Sequence, residues 1–170
     1  MADLRDVLRA NLTGRVCVVG VGNPDCGDDG LGVRLAESLR AAGHPDVILA
    51  ERSPERWVGL LTRGGFQTVL FLDAVGMGAS PGAAVFLNRG EIAARYPQVS
   101  THKLSLSTLA RLIEADGPAR VFLLGVQPRS VGLASGLSAP VQLTLNLLRD
   151  LLVEVLANAG DPLPVCRERP

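Results

Sequence analysis

Apolar positions along the chain follow two alternating patterns. Leu4, Val7, Leu8 and Leu12 recur at helical spacing and predict a short helix over residues 3–12, with Asp3 as its cap. The unbroken run Val16-Cys17-Val18-Val19 predicts a strand over 16–20. Leu31, Leu35 and Leu39 lie on one face and Arg34, Glu37 and Arg40 off it, so residues 29–42 read as a long amphipathic helix. The turn Gly43-His44-Pro45-Asp46 leads to a short strand at 47–50 and a short helix at 57–62, stopped by Gly64-Gly65. Residues 68–72 (TVLFL) and 121–126 (VFLLGV) are apolar throughout, as parallel strands are when both faces are covered. Between them come a turn at 77–82, an edge strand at 84–87, a helical turn at 91–95 and a helix at 105–115 through Leu106, Leu109, Leu112 and Ile113. Residues 138–159 form the last helix, with Pro140 tolerated in its first turn.

Strands alternating with helices in this way predict an α/β fold: a three-layer sandwich with a mostly parallel central sheet flanked by helices, of the phosphorylase/hydrolase-like kind. The expected division is an N-terminal helical extension at 1–14, a single α/β domain at 15–160 and a flexible tail at 161–170. At 170 residues, 47% apolar and 20% charged, the chain can bury a sizeable core without metals or staples. Its 17 basic and 17 acidic residues cancel, so no basic excess argues for nucleic acid. No apolar run has the length of a membrane span. Cys17, Cys26 and Cys166 form no CxxC pair and leave an odd count, which argues against a disulfide framework or a cysteine zinc site and fits a reducing compartment. The first residues are charged and helix-like rather than a basic lead into an apolar core. The expectation is a soluble cytoplasmic protein, by default a monomer.

The chemistry concentrates after the first strand. Residues 20–32 follow the pattern G-x-G-N-x-x-x-x-D-D-G-x-G and form a strand, a glycine-rich turn and a helix start. Where a phosphate loop offers backbone amides, this turn carries Asp28 and Asp29, a pair better suited to a metal or a proton. The dinucleotide fingerprint fails because Asp25 stands at its third glycine, and no Gly-Lys-Ser/Thr makes a P-loop. In an open α/β sheet, ligands bind beyond the carboxyl ends of the strands. Asp73, which ends the apolar run at 68–72, and His102, in Ser100-Thr101-His102-Lys103 ahead of a helix, map to that same edge. Two carboxylates and one imidazole on three loops can coordinate a divalent transition metal and leave positions open. Each has a plainer reading: one of the acidic pair as a helix cap, Asp73 as a turn residue, His102 as a solvated side chain. His44 reads as structural, and Cys26 as a spectator thiol.

The motif at 20–32 resembles the opening of the hydrogenase maturation endopeptidases, which clip the C-terminal extension from the large subunit of nickel–iron hydrogenases. The likeness continues in order through Leu72-Asp73-Ala74 with Met77-Gly78 and Pro81-Gly82, through Thr101-His102-Lys103-Leu104, and through Leu124-Gly125-Val126-Gln127-Pro128. The resemblance implies that Asp29, Asp73 and His102 form the metal-binding and catalytic site, leaving Asp28 for the helix start. It implies a metal-dependent endopeptidase whose partner is the hydrogenase large-subunit precursor. Nickel already carried by that precursor would be the metal, and other divalent ions would occupy the site in isolated protein. One departure stands out: the glycine pair common after the second strand is replaced by Leu49-Ala50-Glu51-Arg52-Ser53-Pro54-Glu55. The rival expectation is a non-catalytic α/β module that senses metal or binds the precursor through the same three residues.

Overall fold

The computed structural model describes residues 3–95 and 104–160. The tail expected at 161–170 and the histidine loop with His102 lie outside the described residues. In chain order the elements are α1 (Leu4–Asn11), β1 (Val16–Val21), α2 (Leu31–Ala41), β2 (Val47–Glu51), α3 (Val58–Arg63), β3 (Thr68–Ala74), β4 (Ala84–Asn88), α4 (Arg89–Arg95), α5 (Leu106–Asp116), β5 (Arg120–Val126) and α6 (Ala139–Ala157).

The five strands form one sheet in the order β2-β1-β3-β5-β4. All neighbours pair in parallel except β4, which runs antiparallel to β5 at one edge. Successive side chains of a strand point to opposite faces, and the core divides accordingly. Val16 and Val18, Leu70 and Leu72, and Phe122 and Leu124 face α1, α2 and α6. Cys17 and Val19, Val69 and Phe71, and Val121 and Leu123 face α3, α4 and α5. The three-layer architecture expected from the alternating elements is therefore present, with β1, β3 and β5 apolar on both sides.

The first helix belongs to this core. Leu8 and Leu12 are fully buried in the cluster formed with α2 and α6, while Arg5 and Arg9 both pair with Glu154 of α6. At its start Asp3 accepts from the Arg5 N–H, as the cap reading expects. Ser105 caps α5 in the same way, accepting from the Thr108 N–H at 3.2 Å. His44 has the structural role its turn suggested: its Nε2 lies 2.9 Å from the Val16 carbonyl oxygen. Cys17 is buried in the core, and burial pushes its thiol up to about 12. Among the described residues no helix is long and apolar enough to cross a membrane.

The strand order creates one special place. From β1 the chain passes through α2 to β2 on one side; from β2 it returns through α3 to β3 on the other side of β1. The carboxyl ends of β1 and β3 thus flank a topological switch point, where open α/β sheets hold their ligands.

Candidate active site at the sheet switch point

Asp29 and Asp73 stand on the two sides of this switch point. Asp29 lies in a single 3-10 turn, Gly27–Gly30, between β1 and α2. Its Oδ2 accepts from the Asn23 N–H at 2.9 Å, which orients the carboxylate. Two glycines of the sequence motif make this geometry possible. Gly22 has φ +119°, and a Cβ there would sit 1.8 Å from the Asp29 carbonyl oxygen. Gly32 brings the first turn of α2 against the strand ends, where a Cβ would lie 2.1 Å from the Leu72 carbonyl oxygen and 2.4 Å from that of Val21. The fold needs these glycines so that the acidic turn can close tightly over β1 and β3.

Asp73 is the penultimate residue of the central strand β3, paired with Gly125 of β5, and is only 6% exposed. Burial penalises its charged form, and the nearby Asp29 carboxylate adds to the effect. Together they push its carboxyl up to about 8, against a partial offset from the Ala74 N–H. Two carboxylates that repel one another in a buried crevice form a donor set that a divalent cation would stabilise. In that sense the residues present fit a metal. No group of three or more His, Cys, Asp or Glu side chains suited to holding a metal ion occurs among the described residues.

Asp28 serves a different purpose from the one expected. Neither the 3-10 turn nor α2 has a side-chain cap. The Asp28 carboxylate instead points away and accepts from the Arg129 N–H (2.8 Å), the Ser130 N–H (3.4 Å), the Ser138 N–H (2.6 Å) and the Ser138 Oγ–H (2.8 Å). Burial opposes its charge, but these donors outweigh burial and hold its carboxyl below the usual aspartate value. It is structural, but it anchors the loop before α6 rather than starting α2. The reason is geometric: it is on the side of the turn facing residue 138, and donors there satisfy its lone pairs. No local pattern around residue 28 could have revealed partners more than a hundred residues away.

Two further features of the site escaped the sequence. Gln127 Oε1 accepts from the Met77 N–H (2.6 Å) and the Ala79 N–H (3.3 Å), fixing the turn that follows Asp73. The signal for it was its place in a motif after the last strand. After β2, where the glycine pair is replaced, Glu51 has φ +50° and is the single non-glycine residue with positive φ among the described residues. The chain therefore keeps a left-handed backbone at a position where glycine would be unstrained. The Glu51 carbonyl oxygen accepts from the Gly22 N–H at 2.9 Å, joining this loop to the acidic turn. Glu51, Arg52, Ser53, Arg56 and Trp57 line an adjoining hollow of about 550 Å³. Cys26 accepts from the Asn23 side-chain amide through Sγ at 3.1 Å, so it packs within the turn.

Known proteins share this arrangement of sequence and fold. A family model described as hydrogenase maturation protease matches residues 33–155. The chain belongs to the hydrogenase maturation protease family. It is 32% identical over 124 residues to the hydrogenase 3 maturation protease of Escherichia coli, covering 72% of this chain and 78% of that one. The crystal structure of the nickel–iron hydrogenase maturation protease HycI from Thermococcus kodakarensis superposes with a TM-score of 0.78 at 31% identity, covering 89% of this chain and 99% of that one. The hydrogenase maturating endopeptidase HybD of E. coli, at 23% identity and a TM-score of 0.73 over 86% and 94% of the two chains, shares the fold. The family match begins inside α2, after the acidic turn, and runs through β3, β5 and most of α6. As a member of this family the chain is a protease, and its sheet is the family's mostly parallel one.

Proposed function

We propose that this protein is a cytoplasmic endopeptidase that removes the C-terminal extension of a hydrogenase large-subunit precursor, with Asp29, Asp73 and His102 around the scissile bond. The observation that carries this reading is the pair Asp29 and Asp73, on opposite sides of the switch point and close enough for one charge to raise the proton affinity of the other. His102 joins them as the third ligand on the strength of the motif it occupies. The metal is nickel borne by the precursor, and so arrives as part of the substrate. When bound, it would polarise the scissile carbonyl or a water molecule.

The protein's own groups have distinct tasks. The Asn23 N–H holds the Asp29 carboxylate in one orientation. Asp73, deep at the end of β3, presents its carboxyl where water is largely excluded, which strengthens any electrostatic contact it makes. Its raised proton affinity keeps a proton on it near neutral pH in the metal-free protein, and that proton would leave when a cation binds. Gly22 and Gly32 keep the turn close to the strand ends, so both carboxylates meet one substrate bond.

Incubation of the protein with nickel-loaded precursor, followed by mass spectrometry, tests this directly. Wild-type protein should release the C-terminal peptide. Asp29→Asn, Asp73→Asn and His102→Ala should each lower kcat/KM by on the order of 10³-fold or more. Undiminished cleavage by these variants would overturn the site assignment. Binding of the precursor without cleavage would favour the non-catalytic module.

A further inference from the structure

Residues 127–138 leave β5, pass the end of β3 and reach the turn after β1, so they touch both acid-bearing loops. At one end, Gln127 holds the turn after Asp73. At the other, Asp28 gathers the backbone of Arg129, Ser130 and Ser138. The joint is completed by the backbone, with Gly27 N–H donating to the Ala134 carbonyl (3.1 Å), Asp28 N–H to that of Ser130 (3.1 Å) and Ala134 N–H to that of Asp25 (3.3 Å). Polar contacts therefore position this segment relative to Asp29, the residue next to Asp28.

Between the two anchors the segment carries bare apolar side chains. Val131 is 53% exposed and Leu133 is 88% exposed. Single exposed aliphatic residues need no explanation. These two are separated only by Gly132 in a loop fixed to the candidate site, and neither contributes to either core cluster. The loop that is tied both to the acidic turn and to the turn after Asp73 thus offers apolar side chains beside the candidate site.

We propose that residues 129–137 form a rim that binds an apolar stretch of the polypeptide substrate beside the scissile bond, and that Asp28 is the positioning residue that sets this rim against Asp29. The proposal builds on the endopeptidase reading above. It assigns a task to the acid that the site itself does not use, and a ligand class to side chains the core does not use.

The test measures both binding and cleavage of nickel-loaded large-subunit precursor. The Val131→Ser/Leu133→Ser double variant changes only exposed side chains, and its thermal midpoint should match the wild type. Its precursor Kd and KM should rise roughly tenfold, the scale of re-exposing part of two aliphatic side chains, with a smaller change in kcat. Asp28→Asn should raise KM in the same direction. Placed in the double-variant background it should add little, because it acts through the same rim. A double variant that binds the precursor as tightly as wild type overturns the rim while leaving the protease reading intact. Full additivity of Asp28→Asn overturns its positioning role. Wild-type binding without cleavage overturns the protease reading and leaves the rim to be judged by Kd. A wild-type protein that does not bind the precursor overturns both.

Discussion

Asp28 and Asp73 are buried carboxylates at the same edge of one sheet, 1% and 6% exposed, yet they are held in opposite states. Asp28 sits among donors on the loop before α6, and its acidity is strengthened. Asp73 sits at the end of an apolar strand beside another carboxylate, and its acidity is weakened to about 8. Burial opposes charge at both positions. What differs is the supply of hydrogen bonds to the charged form and, at Asp73, the repulsion of a neighbouring carboxylate. The charge of Asp28 is fully used in holding the structure together. That of Asp73 is left uncompensated, and an uncompensated buried charge is where a proton or a cation will be taken up.

The largest effect should come from removing the compensated charge. Asp28→Ala takes away the acceptor for three backbone N–H groups and one hydroxyl. Leaving such donors without partners should cost about 2–4 kcal/mol of folding stability, read by urea denaturation. A loss below about 0.5 kcal/mol, the usual range for an unimportant surface change, would mean that the loop is held by something other than Asp28.

That cost lies in the part of the fold the sequence could not reveal. The strand-turn-helix over 20–32 is legible because an apolar run, five glycines and an amphipathic run follow one another within local range. Asp73 is legible for a similar reason, being the polar end of an unbroken apolar strand. Hydrophobic periodicity also shows that α1 has an apolar face, but not that Leu8 and Leu12 join the core shared by α2 and α6. The antiparallel direction of β4 is equally silent, since alternation gives a strand's faces and not its direction. Asp28 lies 110 residues from Ser138, and two adjacent aspartates look alike until the chain is folded. The motif resemblance divided the pair, leaving Asp29 for the site and Asp28 for the helix start. It misassigned the work of Asp28, because a local pattern offers only local partners such as a helix start.

Removing the uncompensated charge should act in the opposite direction. In chelator-treated protein, folded Asp73 holds a proton up to about pH 8, whereas the unfolded chain releases it near the ordinary value of 3.8. Between those limits the native state binds more protons than the unfolded state, so stability contributed at this site falls as pH rises through the window. Asp73→Asn removes that slope. The variant should be more stable than wild type by about 1–3 kcal/mol near pH 8, and this gain should shrink as the pH falls toward 4. Thermal unfolding across that range checks the sign. A variant destabilised equally at all pH values would show that Asp73 is held by satisfied hydrogen bonds, as Asp28 is.

The smallest effect separates the two causes acting on Asp73 itself. Burial is the larger and the Asp29 charge the smaller. Asp29→Asn deletes only the second, so the Asp73 carboxyl in metal-free protein should titrate below about 8 and still above the ordinary 3.8. Carbon-detected NMR of the side-chain carboxyl follows that shift directly. If the titration does not move, the two carboxylates do not sense one another, and the pair that supports the proposed site loses its electrostatic basis. If it returns fully to the ordinary value, burial contributes nothing, and the contrast with Asp28 reduces to neighbouring charge. An intermediate value keeps both halves of the comparison: an apolar strand end that disfavours charge, and a facing carboxylate that makes the crevice attractive to a cation.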